Sequence, residues 1–150
     1  MSLLLVILML WGQVPVAKAE EIPYRLLRAD LPKPGERFKE TEFAVSIDRG
    51  LSRSAIEGLI CRILVKENPP KSDRLTIRIF LGLTEYIPPP VESESEETAA
   101  DSHQAAWYVW NPSLPRVRGR LVLMKDADGN PLDQWQSQEF NHPRVCRLPQ

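Results

Sequence analysis

Two cysteines and two histidines are all that this 150-residue chain contains of the commonest metal-binding side chains. That scarcity narrows its chemistry. Cys61 and Cys146 are too few and too far apart for a zinc site of the usual paired spacing. His103 falls in an acidic, apolar-poor stretch and His142 precedes a proline near the tail, so neither has a companion in sequence for a Ser–His–Asp or Cys–His relay. G-x-S-x-G elbows, H-E-x-x-H pairs and Gly-rich phosphate loops are all missing. No catalytic residue, metal or cofactor is assigned.

An excess of charge is missing too. The net charge is −1, which provides no global attraction to nucleic acid or to an anionic membrane surface. Nor does any apolar run approach the roughly 20 residues that a spanning helix needs. The longest, residues 2–11, has about half that length. It is followed by Gly12, Pro15 and Ala17-Lys18-Ala19, the order of a signal-peptide core and its small-x-small cleavage site. The expectation is a leader at 1–19, cleavage after Ala19, and a secreted or periplasmic protein that spans no membrane once cleaved. No Lys or Arg precedes the apolar run, so a start codon placed too far downstream and an N-terminal strand of the domain are competing readings. No cysteine near the cleavage site suggests a lipid anchor.

Removing nineteen of the 150 residues leaves 131, enough for one domain. What the chain has in plenty is proline, fourteen residues in clusters that punctuate it into short elements. Residues 20–41 read as a Pro-rich entry segment lying against the domain, able to add an edge strand. Residues 42–150 read as the domain itself. Phe43, Val45 and Ile47 alternate as a strand does. Ile56, Leu59, Ile60, Ile63 and Leu64 then place one apolar stripe on a helix. Ser52 is its N-cap, Leu51 its hydrophobic staple, and Asn68-Pro69-Pro70 its stop.

Residues 74–83 read as a strand, with Leu75, Ile77, Ile79, Leu81 and Leu83 on the core face and Arg74, Thr76, Arg78 and Phe80 opposite. Residues 88–104 carry five acids with no Lys or Arg and read as a mobile acidic loop. Strands follow at 105–110 and 118–125, then an Asp128-Gly129 hairpin turn and a returning strand at 132–140. The order strand, helix, strand, strand, strand, strand predicts an α+β domain in which one amphipathic helix covers a largely antiparallel sheet of about five strands.

Two constellations remain. Asp126-x-Asp128-Gly129-Asn130 with Asp133 has the look of a calcium loop, but the closing position is Ser137 rather than Glu, and a hairpin turn explains the glycine. Trp107, Tyr108 and Trp110 are followed by Arg116, Arg118 and Arg120. On a strand Trp107 and Trp110 face opposite ways, so at most one enters the core, while the three arginines alternate onto one face. An outward indole beside spaced guanidiniums suits a carboxylate, a glycan or a partner protein. The same pairing suits single-stranded nucleic acid, which the leader argues against. The alternative is that both indoles pack and the arginines are a solvated face.

In an exported chain Cys61 and Cys146 are expected to pair, tying the tail onto the helix. Unpaired, Cys61 is a small apolar helix residue.

Ala106-Trp107-Tyr108, Trp110-Asn111-Pro112-Ser113-Leu114 and Arg118-Gly119, taken with the preceding helix and Arg78-Ile79-Phe80-Leu81, resemble a small bacterial strand-helix-strand domain family of unknown function, over about residues 42–125. The acidic insertion at 91–104 departs from that pattern. The resemblance implies the order of elements and carries no site.

The leading expectation is an exported, non-catalytic domain that binds a protein or cell-envelope component, with Trp107, Trp110, Arg118 and Arg120 as candidate contacts. A small envelope hydrolase with a carboxylate or His site is the first alternative. An inhibitor or adaptor using residues 84–104 is the second.

Overall fold

The computed structural model describes residues 21–87 and 102–147. Helix α1, Arg53–Glu67, forms on the strongest periodicity of the sequence. The Ser52 side chain accepts a hydrogen bond from the Ala55 amide at 3.3 Å, satisfying one donor of the open first turn. At the other end Asn68 adopts the left-handed conformation (φ 44°, ψ 62°), its amide donates to Leu64 O, and Pro69 prevents another turn. All five residues of the expected stripe are buried.

Six strands form one sheet in chain order: β1 Arg25–Asp30, β2 Glu40–Ile47, β3 Arg74–Leu81, β4 Gln104–Trp110, β5 Gly119–Lys125 and β6 Pro131–Glu139. Neighbours are antiparallel except β2 and β3, which run parallel because α1 carries the chain back between them. The α+β class and the largely antiparallel sheet match the expectation; the numbers of elements do not. The sheet has six strands rather than about five, because the entry segment supplies β1. Its sequence, RLLRAD, lacks alternation and is mostly exposed, so backbone pairing with β2 makes it a strand rather than side-chain burial. A further short helix, α2, spans His142–Val145. Four residues are too few to show a period, and Pro143, which looked like punctuation, takes a position in the first turn where proline is tolerated.

The core lies between α1 and one face of the sheet. Phe43, Val45, Ile47, Ile77, Ile79, Tyr108 and Leu121 meet the helix stripe there, and Ile22 joins them from the entry segment. The opposite face is not simply polar. Ala44 and Phe80 are buried on it, packed with Leu27, Leu83 and Tyr86. Leu83 therefore leaves the core face expected of it: β3 ends at Leu81, and Gly82, at φ 67°, turns the chain so that Leu83 lands beside Phe80.

Both edges of the sheet are irregular. Register shifts occur in β1 between Leu26 and Arg28 and in the β5–β6 pairing between Leu123 and Lys125. Such bulges discourage edge-to-edge association. The 126–130 turn is a hairpin: Asp126 Oδ1 accepts from the amides of Asp128 (3.0 Å) and Asn130 (2.8 Å), and Gly129 takes φ 87°. Cys61 and Cys146 form a disulfide, which pins α2 and the tail to α1.

The expected leader lies outside the described residues, as does the acidic stretch from 88 to 101. That stretch was expected to stay mobile through residue 104. Instead Gln104 already begins β4 and is buried, and His103 Nδ1 lies 2.8 Å from Leu81 O. Among the described residues no helix is long and apolar enough to cross a membrane.

Candidate functional site

Strand register decides which candidate residues meet. Across the face away from α1, Arg78 stands beside Trp107, and Trp107 beside Val122. One row on, Thr76 stands beside Val109, and Val109 beside Arg120. Trp107 is thus the outward indole. Together with Val109 and Val122 it lines a pocket of about 250 Å³ that Arg74, Arg118 and Arg120 also line. Of the four expected contact residues, three converge here: Trp107, Arg118 and Arg120.

Trp110 does not join them. It belongs to the core side, where it packs against the main cluster and its ring lies 4.7 Å from that of His142. Arg116 also stays away from the pocket. Strand β5 starts at Gly119, one residue later than expected, so the alternation that placed Arg116 with Arg118 and Arg120 does not extend into the preceding turn. Gly119 itself admits no side chain, since a Cβ there would fall 2.1 Å from Phe140 O.

The pocket is rich in donors. Arg74 shares an ion pair with Glu40 at 3.5 Å. Arg118 donates only to Leu114 O (3.3 Å) and Arg120 only to Ser137 Oγ (3.2 Å), so among the described residues neither meets a carboxylate. Glu139 stands opposite Arg120 in the register without pairing to it. Beside the pocket, Arg78 is held by Glu42 at 2.9 Å and places its guanidinium carbon 5.7 Å from the Trp107 ring centroid, a cation–π contact that steadies the indole.

Sequence reasoning missed a second constellation on the core side, built around Tyr108 and His142. The Tyr108 hydroxyl donates to Phe140 O at 3.2 Å and lies 2.7 Å from His142 Nδ1. Tyr108 is fully buried, and burial pushes its hydroxyl pKa well up. The same cause pushes the His142 pKa down to about 4. His142 also reaches a cleft of about 310 Å³ whose other walls include Leu75, Trp110, Pro69, Pro70 and Ser72. Among the described residues no carboxylate lines this cleft, and the Ser72 hydroxyl is engaged with Thr41 Oγ1 (2.5 Å) and Pro70 O (3.0 Å). The signal that could have found this cluster was Cys146: pairing it with Cys61 brings His142, four residues earlier, beside α1.

The low pKa of His142 makes a stability prediction. An unfolded histidine takes a proton near pH 6.5, whereas the folded one resists until about pH 4. The unfolded state thus binds more protons in that window, and stability falls as pH drops from 6.5 towards 4. The loss should reach on the order of 2–3 kcal/mol. Urea unfolding of the protein and of His142→Phe across this range should show a slope that the variant lacks. Parallel curves would mean that His142 is not held neutral.

No protein-family model, curated protein or solved structure matches this chain. The functional reading therefore rests on the geometry of the two faces. Among the described residues, no three His, Cys, Asp or Glu side chains gather as a metal site would require. The carboxylate of Asp126, held below the usual range chiefly by the Asn130 amide, serves the hairpin turn.

Proposed function

We propose that this protein is an exported, non-catalytic domain that holds a protein or cell-envelope component against the open face of its sheet. The observation that carries this reading is the convergence of Trp107 with Arg118 and Arg120, two guanidiniums without a carboxylate among the described residues, in one pocket. Tryptophan and arginine are the residue types that most often dominate binding energy at protein surfaces. The size of the pocket supports a macromolecular partner. At about 250 Å³ it is smaller than the roughly 300–1,000 Å³ of sites that enclose a whole small ligand, so it suits an anchor of something larger. Export is supported by the disulfide, which suits an oxidising compartment, and by the leader-like residues 1–19.

A photo-crosslinking residue placed at Arg118 in the native host tests the reading. It should trap a discrete adduct, and Trp107→Ala in the same protein should abolish it. A crosslinker at Arg53, on the helix side, should trap nothing comparable. Equal trapping at both positions would refute the proposed surface. N-terminal sequencing of the exported protein should begin at Glu20; a cytoplasmic chain retaining Met1 would remove export from the proposal.

One observation favours hydrolysis instead: His142 lines a cleft. Its Nδ1 is spent on Tyr108, and among the described residues no acid stands in the cleft to orient or to share a proton. The binding reading is the better supported.

A further inference from the structure

We infer that the Trp107 pocket recognises an acidic peptide segment of a partner protein, one in which carboxylates stand on either side of an aliphatic residue. This rests on the open-face reading above and specifies its partner.

Arg118 and Arg120 bring guanidiniums that form no ion pair with a carboxylate among the described residues, although Glu139 stands across from Arg120, and Arg74 shares only one carboxylate, at 3.5 Å. Behind them, among the described residues, the Thr76 hydroxyl, in a residue 1% exposed, and Trp107 Nε1 are buried without a hydrogen-bond partner. The exposed donors of this face without a carboxylate partner among the described residues are the guanidiniums of Arg118 and Arg120. A partner that complements them is rich in carboxylates, which pair with guanidiniums in two-pronged geometry.

Val109, Val122, Val117 and Leu114 are branched aliphatics, suited to an aliphatic side chain. A sugar ring would call for amide and carboxyl groups to take its hydroxyls. Among the described residues Asn111 is the only such side chain lining the pocket, and its Oδ1 already accepts from the Ser113 amide (3.1 Å) and hydroxyl (2.6 Å). Arg78 over the Trp107 ring further limits its use as a stacking platform.

Alternate side chains of an extended peptide point the same way, about 7 Å apart. An order of acid, spacer, aliphatic, spacer, acid therefore presents one apolar group to the pocket and a carboxylate on each side of it.

The test uses the disulfide-bonded protein and blocked peptides whose ends carry no charge. The probe is Glu-Ser-Leu-Ser-Glu, with Gln-Ser-Leu-Ser-Gln and Glu-Ser-Ser-Ser-Glu as its controls and polygalacturonate as a carboxylated polymer without side chains. Binding is followed by NMR at the Trp107 indole and the Arg118 and Arg120 side chains. The expected result is saturable, salt-sensitive binding of the probe, at least fivefold weaker for each control peptide and for Arg118→Gln/Arg120→Gln. Equal affinity for the Glu and Gln peptides, or no effect of the arginine pair, would overturn the inference. Polygalacturonate shifting these resonances while no peptide does would overturn the peptide class but leave the open-face reading standing. Silence from all probes, with no adduct trapped at Arg118, would remove both.

Discussion

Replacing Cys61 and Cys146 together by alanine should lower the unfolding free energy by about 4–5 kcal/mol, the loop-closure contribution expected for a crosslink between residues 85 apart. A domain of this size has on the order of 5–15 kcal/mol in all, so the variant should stand at the edge of folding at 37 °C. The loss has a local component as well. Cys146 is buried, its amide donates to His142 O at 2.7 Å, and it closes α2 against α1. Apart from the crosslink, Tyr108 and Trp110 hold α2 through His142. Urea titration of oxidised protein and double variant measures the effect directly. A difference under about 1 kcal/mol would show that packing alone keeps the tail in place and that the unfolded chain is already compact.

Trp110→Ala should cost about 3 kcal/mol, the lower end of the range for a large aromatic removed from a core, because Trp110 is half-buried. It would also strip the ring that lies against His142, leaving the imidazole closer to water and bringing its pKa up towards the ordinary value. Trp107→Ala should cost about 1 kcal/mol or less. It loses the contact with Arg78, but it also removes an indole nitrogen buried without an acceptor, and the two effects oppose one another. The separation between the two variants is the informative quantity. Thermal melts and the Arg118 crosslink, measured side by side, should show Trp110→Ala destabilised with its binding surface intact, and Trp107→Ala folded with binding lost. If both variants unfold, neither indole is a contact and the open face is ordinary packing.

A third aromatic, Trp135, is 66% exposed on β6, and the sequence did not single it out. The polar run DQWQSQE around it alternates little, and a bulged edge strand does not bury alternate residues as an inner strand does. Nothing in the structure brings Trp135 to the arginine pocket.

Several features were legible because they depend on neighbours along the chain. Helix α1 could be read with both caps, since Ser52, the 3.6-residue stripe and Asn68-Pro69 act within a few turns of one another. The alternation in β2 and β3 and the Asp128-Gly129 turn belong to the same class, as does the opposition of Trp107 and Trp110, which follows from the two-residue period of a strand. The cysteine pairing followed from the count of two taken together with the leader-like residues 1–19. Other features depended on partners far away in sequence. Strand β1 exists because β2 offers an unpaired edge, and Leu83 turns outward because Phe80 and Tyr86 give it somewhere to pack. Local sequence likewise could not show that Arg74 would join Arg118 and Arg120, because that meeting depends on β3, β4 and β5 being adjacent and in register. Nor could it show that His142, read as isolated, would bind Tyr108 from thirty-four residues away. By itself the sequence determined the class of the fold, the helix, the crosslink and the chemical types available for a site. Only the tertiary structure decided which of those side chains share a face, because strand pairing converts positions distant along the chain into neighbours.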